Sequence, residues 1–168
     1  FTKHAYEFVN SFAGTGNLVF GIKGIDEQKF RRNAKDVAAV KKSANVLNQY
    51  NLDVEQLKDE LASNMKLRVA DDGSQENGFM NFPMQQGDKY QLKTFFKHYE
   101  SEERKEVKEK DEVIGFKWEK RHTGIENHFW DVRVYNNAAR YIYIDYLKRV
   151  GGPKYKELTY FSFIEYLL

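Results

Sequence analysis

From Glu126 to Arg149 the chain runs without a glycine or a proline, and Gly151-Gly152-Pro153 closes the run. Trp130, Val134, Ala138 and Tyr141/Ile142 recur at helical spacing, which predicts one long helix over 126–149 with an apolar stripe. Ala138-Ala139 are small enough to let that helix approach a sheet closely. Only 41% of the 168 residues are hydrophobic, yet 13 Phe, 11 Tyr and two Trp supply large rings to bury. A chain of this length is about one ordinary domain and can build a core without staples.

The remaining elements follow from periodicity. Ala5, Phe8, Val9 and Phe12 predict a helix over 2–13, ended by Gly14-Thr15-Gly16-Asn17. Leu18-Val19-Phe20-Gly21-Ile22-Lys23 reads as a strand apolar on both faces, the pattern of an interior strand. A second strand is expected over 46–52. Asp53 with Gln56 then resembles a capping box, opening a helix over 54–65 whose buried stripe is Val54, Leu57, Leu61 and Met65. Lys66–Ala70 and Gly78–Phe82 suggest a hairpin, and Tyr90–Glu103 a helix with Leu92, Phe95, Phe96 and Tyr99 inward. A second hairpin turns about Asp111, with Ile114, Phe116 and Trp118 alternating onto one face. Helices feeding short apolar strands make this an α/β chain.

With 27 basic and 25 acidic side chains the net charge is +2, so the chain is not basic overall. The charge is uneven, however. Lys29, Arg31, Arg32, Lys35, Lys41 and Lys42 crowd into 29–42 against Asp36 alone. Such a segment is either a solvated face or a local phosphate-binding patch. The absence of cysteine removes disulfides, thiolate zinc sites and cysteine nucleophiles, and suits a reducing compartment. No apolar run approaches the roughly 20 residues a membrane span needs, and no stretch reads as a signal peptide. GxSxG, Walker A and HExxH motifs are absent, and Gly14-Thr15-Gly16 reads as a turn. The start Phe1-Thr2-Lys3 leads straight into an apolar-periodic segment, as expected of a piece of something longer.

Chemistry concentrates in Glu126-Asn127-His128-Phe129-Trp130-Asp131. His128 and Asp131, three apart, share one helix face. A carboxylate on the face nearest a sheet is either salt-bridged or a ligand for a hard cation such as Mg2+ or Mn2+.

At these residues the chain resembles the C-terminal nuclease domain of the lambda-like phage terminase large subunit. Four motifs match in order over roughly 1–146. Phe1-Thr2-Lys3-His4-Ala5-Tyr6-Glu7-Phe8 is similar to the segment after an Asp-Ser-Gly strand end. Val19-Phe20-Gly21-Ile22-Lys23-Gly24 resembles the strand ending in Lys-Gly. Gly78-Phe79-Met80-Asn81-Phe82-Pro83, with Tyr90-Gln91-Leu92 and Glu100-Ser101-Glu102-Glu103, resembles a Gly-x-x-His-Phe-Pro strand and its acidic helix. Trp118-Glu119-Lys120 and Asn127-His128-Phe129-Trp130-Asp131 are similar to the Trp-x-Lys and Asn-Glu-Ala-Leu-Asp elements.

The resemblance implies an RNase H-like mixed sheet flanked by helices, incomplete at its N-terminal side. It implies two divalent cations, Mg2+ or Mn2+, held by three carboxylates that cut concatemeric double-stranded DNA during packaging. Asp131 matches the third carboxylate, and the other two are expected upstream of Phe1. Lys23 matches a lysine at the strand end, suited to a phosphate contact or to charge stabilisation near the cut. Arg31, Arg32, Lys35, Lys41 and Lys42 are the expected DNA contacts. His128 stands where the pattern has Glu. Glu102 matches a family acid, although its expected setting is a helix surface. The implied domain is 1–150, followed by a Gly-Gly-Pro linker and aromatic tail, 151–168, that either packs on its own domain or engages the capsid portal. The terminase small subunit is the other implied partner, no membrane is involved, and the setting is the host cell cytoplasm. A non-catalytic DNA- or portal-docking module is the alternative.

Overall fold

The computed structural model describes residues 2–16, 18–25, 39–43, 48–82, 87, 92–159 and 162. The architecture is mixed α/β, with a three-stranded sheet, a two-stranded sheet and helices. The chain divides into two compact units, Phe1–Val54 with Asn136–Leu168, and Glu55–Tyr135. No helix among the described residues is long and apolar enough to cross a membrane.

The first unit opens with α1 (Thr2–Ser11), where Ser11 Oγ donates to the Phe8 carbonyl at the helix end. Strands β1 (Gly21–Ile25), β2 (Val40–Lys42) and β3 (Gln49–Asp53) form a mixed sheet in the order β1-β3-β2. β1 runs parallel to β3 and β2 antiparallel to it. The interior strand is therefore β3, with Tyr50 and Leu52 wholly buried. The interior role expected for Leu18–Lys23 is not observed. β1 starts three residues later and lies at the sheet edge, where Ile22 and Lys23 are exposed. Phe20, just ahead of it, instead sets its ring edge-on to Tyr50, 5.6 Å between centroids, and 5.8 Å from Tyr146. Asp53 ends β3 immediately before the next helix, at the N-cap position the sequence assigns to it.

The long helix, α4 in chain order, spans His128–Val150. Its stripe is the expected one, with Trp130, Val134, Ala138 and Ile142 all buried. Within the first unit its last turns meet the sheet through a polar lock. Tyr50 Oη donates to Asp145 Oδ2 at 2.7 Å, Arg149 Nε donates to the same oxygen at 3.0 Å, and the Arg149 guanidinium also donates to Tyr50 Oη. The helix stops at Gly151, where a Cβ would fall 2.7 Å from the Leu147 carbonyl oxygen and collide with the Tyr155 ring. A 3₁₀ turn (Pro153–Tyr155) folds the chain back, and Tyr155 and Leu158 pack with Ile144 and Leu147. Of the tail residues beyond this point only Thr159 and Ser162 are among the described residues.

The second unit contains α2 (Val54–Asn64) from Glu55 onward, α3 (Leu92–Tyr99) and the hairpin of β4 (Glu102–Glu109) and β5 (Glu112–Lys120). The hairpin turns through Lys110 and Asp111, both at positive φ (49° and 67°), as a two-residue turn matched to strand twist requires. A register shift between Val107 and Lys108 leaves Ile114 as the extra residue of a bulge. Of the three residues expected on one face, Ile114 and Phe116 are exposed and Trp118 is half-buried. The hairpin expected over 66–82 reduces to a tight loop closed by one bridge between Val69 and Gln75. After that loop Gly78, at φ +96°, passes so close to Asn64 that a Cβ would sit 2.6 Å from its Oδ1.

Two outcomes test the first unit. Burial, and then the Asp145 carboxylate, push the Tyr50 hydroxyl well above the ordinary tyrosine range. Its contribution to stability is thus complete below about pH 10 and is lost as pH rises further toward the folded-state value. Melting temperatures between pH 8 and pH 11 will fall more steeply for the parent than for Tyr50→Phe. Leu158→Ala will lower stability by about 2–5 kcal/mol in urea denaturation, the usual cost for a buried leucine.

Candidate active site

Asp131 lies in the first turn of α4, where a carboxylate also suits the positive end of the helix dipole. Its side chain is 33% exposed. Beneath it, Lys58 on α2 places Nζ 4.0 Å from Asp131 Oδ1 and 2.5 Å from Glu102 Oε2. The Lys58 and Glu102 side chains are 9% and 4% exposed. Glu102 Oε1 accepts from Asn127 Nδ2 at 2.7 Å, and the Asn127 carbonyl accepts the Asp131 backbone N–H at 3.0 Å. Four residues from α2, β4 and the start of α4 thus form one connected group.

The helix over 90–103 inferred from sequence ends at Tyr99, and Glu102 is the first residue of β4. The solvated helix-surface setting for Glu102 is therefore overturned. Ser101 turns the chain between the two elements: its Oγ donates to the His98 carbonyl at 2.6 Å, and its own carbonyl accepts from Arg121 N–H at 3.0 Å. That turn directs Glu102 inward.

Electrostatics follow from the geometry. Two carboxylates share one ammonium, so Lys58, Glu102 and Asp131 together carry one negative charge in excess. Glu102 is enclosed and paired, which leaves the excess at Asp131, the exposed member. Burial raises the Asp131 carboxyl above the usual aspartate range and Glu102 adds to this, while Lys58, Lys120 and His128 pull it down. Two unit charges 4 Å apart near a protein surface interact by about 4 kcal/mol, so Lys58 is the strongest single restraint on Asp131. An accessible oxygen donor of this kind fits a hard divalent cation. Among the described residues no group of three His, Cys, Asp or Glu side chains is arranged to hold one.

An aromatic wall backs the group. Trp130, beside Asp131 in sequence, is 1% exposed and lies 5.5 Å from the Tyr99 ring and 5.7 Å from Trp118. Trp118 N–H and Nε1–H donate to Glu55 Oε2 and Asp59 Oδ1 of α2, at 2.7 and 2.9 Å, and Arg104 pairs with Asp59 Oδ2 at 2.8 Å. These bonds tie the hairpin to the helix that carries Lys58. His128 is exposed. The buried histidine is His98, whose Nδ1 accepts from the Phe129 backbone N–H at 3.4 Å while Nε2 stands 3.5 Å from Glu126 Oε2.

Lys23, Lys41 and Lys42 belong to the first unit. Both Lys23 on β1 and Lys41 on β2 pair with Asn51 of β3, so the two lysines stand at one level on one face, opposite to that of Tyr50 and Leu52. Lys42 pairs with Tyr50. Arg31, Arg32 and Lys35 lie outside the described residues.

Lys58, Asn127 and His98 were not singled out from sequence. For Lys58 a signal existed: it follows Leu57 and precedes Leu61 by three, which places it on the buried stripe of its helix. Asn127 reads as an ordinary helix cap, and nothing in the pattern distinguishes His98 from a surface residue.

No curated protein and no solved structure gives a significant match. Residues 1–146 match the family described as terminase large subunit gpA, endonuclease domain. That span takes in every element from α1 to most of α4, including Lys23, Lys58, Glu102 and Asp131, and by this match the chain belongs to the endonuclease-domain family of the gpA terminase large subunit.

Proposed function

We propose that this domain cuts concatemeric double-stranded phage DNA into genome units during packaging, by metal-dependent phosphodiester hydrolysis in an RNase H-like setting. The observation that carries the reading is Asp131: an accessible carboxylate with the excess charge of its cluster, within the family match. Asp131 would hold Mg2+ or Mn2+ together with further carboxylates. Such ions, when bound, activate water and stabilise the attacking and leaving oxygens of an in-line displacement.

The remaining roles fall to the chain's own side chains. Asp131 offers its oxygens at the mouth of the cluster. Lys23 and Lys41, on one face either side of Asn51, are spaced to meet phosphate oxygens across two strand separations, about 10 Å. Lys42, Arg31, Arg32 and Lys35 belong to the same basic stretch of sequence and would hold duplex DNA by releasing counterions. His128, one turn before Asp131, faces the same solvent and suits an outer contact. The terminase small subunit and the capsid portal are the proposed protein partners, in the host cell cytoplasm.

In a plasmid-cleavage assay with the complete large subunit, Asp131→Asn will reduce cutting to background while the melting transition persists. Normal cleavage by the folded variant would remove Asp131 from the cutting site, and absence of cutting by the parent itself would favour a DNA- or portal-docking role. Neutralising Arg31, Arg32 and Lys35 will flatten the dependence of DNA affinity on salt, each true phosphate contact removing about 0.9 from the log–log slope. An unchanged slope would return these residues to a solvated surface.

A further inference from the structure

Glu102 is an acid that a cation cannot easily reach. Both of its oxygens are taken, Oε2 by Lys58 and Oε1 by Asn127, and the carboxylate is almost wholly buried. Its charge is cancelled by Lys58, so the pair is neutral as a whole, with its positive end toward Asp131 Oδ1. A lone lysine at that place would repel an incoming cation. Paired with Glu102 it orients Asp131 without adding net positive charge.

We propose that Lys58, Glu102 and Asn127 form a positioning device for Asp131, which draws Oδ1 toward Lys58 and presents Oδ2 to a divalent cation. The proposal rests on the reading of Asp131 as a cation ligand. Its physical basis is that the network reaches Asp131 by two routes. Lys58 acts on the carboxylate through space, from α2. Asn127 acts on the backbone, because the residue whose amide grips Glu102 also accepts the Asp131 N–H. A lysine stem is flexible by nature, and burial together with Glu102 is what makes it a fixed point. Second-layer partners of this kind commonly set ligand orientation and metal affinity, with losses of 10- to 100-fold when they are removed.

The test uses the complete large subunit, free of nucleotide, and Tb3+, an oxygen-seeking ion whose emission is sensitised by tryptophan, here Trp130 and Trp118 beside the site. Lys58→Met alone leaves Glu102 buried and unpaired and endangers the fold. The informative variant is Lys58→Met with Glu102→Gln, which removes both charges and keeps an acceptor for Asn127. The parent will show saturable sensitised emission, Asp131→Asn will abolish it, and the double variant will keep its cooperative melt but bind Tb3+ at least tenfold more weakly. A folded double variant with parental affinity overturns the positioning role and leaves Asp131 as a ligand. A double variant that does not fold assigns the pair to structure alone and overturns it too. Undiminished binding by Asp131→Asn, or no saturable emission from the parent, overturns the ligand reading and this proposal with it.

Discussion

The Lys58 ammonium and the Glu102 carboxylate meet where both are nearly withdrawn from water, and the second unit is arranged around that meeting. Removing either charge from solvent alone costs several kcal/mol. Their mutual attraction offsets this only if the remaining polar valences are used as well. Asn127 uses one of Glu102's oxygens, and Asp131 stands within ionic reach of Lys58. The three elements that supply these groups come from residues 58, 102 and 127–131, so the pair fixes which stretches of chain must approach. Hydrophobic burial of Trp130, Tyr99 and Leu57 is non-directional. The charges and their hydrogen bonds require particular partners at particular atoms.

Around this centre the unit repeats one device, a carboxylate on α2 held by a donor on the hairpin. Glu55 takes the Trp118 backbone N–H, and Asp59 takes both the indole N–H and Arg104. Since Glu55, Lys58 and Asp59 fall within five residues, one helical turn organises the ribbon on one side and the candidate site on the other. Farther out, the ribbon rests on surface pairs such as Lys105 with Glu103 and Lys108 with Glu106. Pairs of that kind contribute little individually. The structure therefore tightens toward Asp131 and loosens toward the Lys110-Asp111 turn.

What could be read from the chain divides along physical lines. The α4 stripe was legible because Trp130, Val134, Ala138 and Ile142 satisfy a strictly local periodicity, and the stop at Gly151 is written in the same few residues. The α2 helix was legible for the same reason. Glu102 was misread because Glu100-Ser101-Glu102-Glu103 looks like a solvated acidic run, and the lysine that makes it a buried group lies 44 residues away. Leu18–Lys23 was misread because an apolar strand can fill an interior place or lend its aromatic ring sideways, as Phe20 does to Tyr50. Asp131 stood out as a candidate, but its environment depends on residues that no local pattern connects to it.

The two units also differ in how they are written along the chain. Glu55–Tyr135 is continuous, while the first unit joins residues from both ends, and its lock between Tyr50, Asp145 and Arg149 spans 95 to 99 residues. During synthesis the nascent chain therefore holds every residue of the second unit before Asp145 or Arg149 exists. Until then Tyr50 has neither of its polar partners, and the loop that must close carries an entropic cost that grows slowly with length. Domains folding in the order of translation tend to settle as units. Here that order lets the Lys58–Glu102 group form early, with the lock on Tyr50 closed last, as Asp145 and Arg149 emerge from the ribosome.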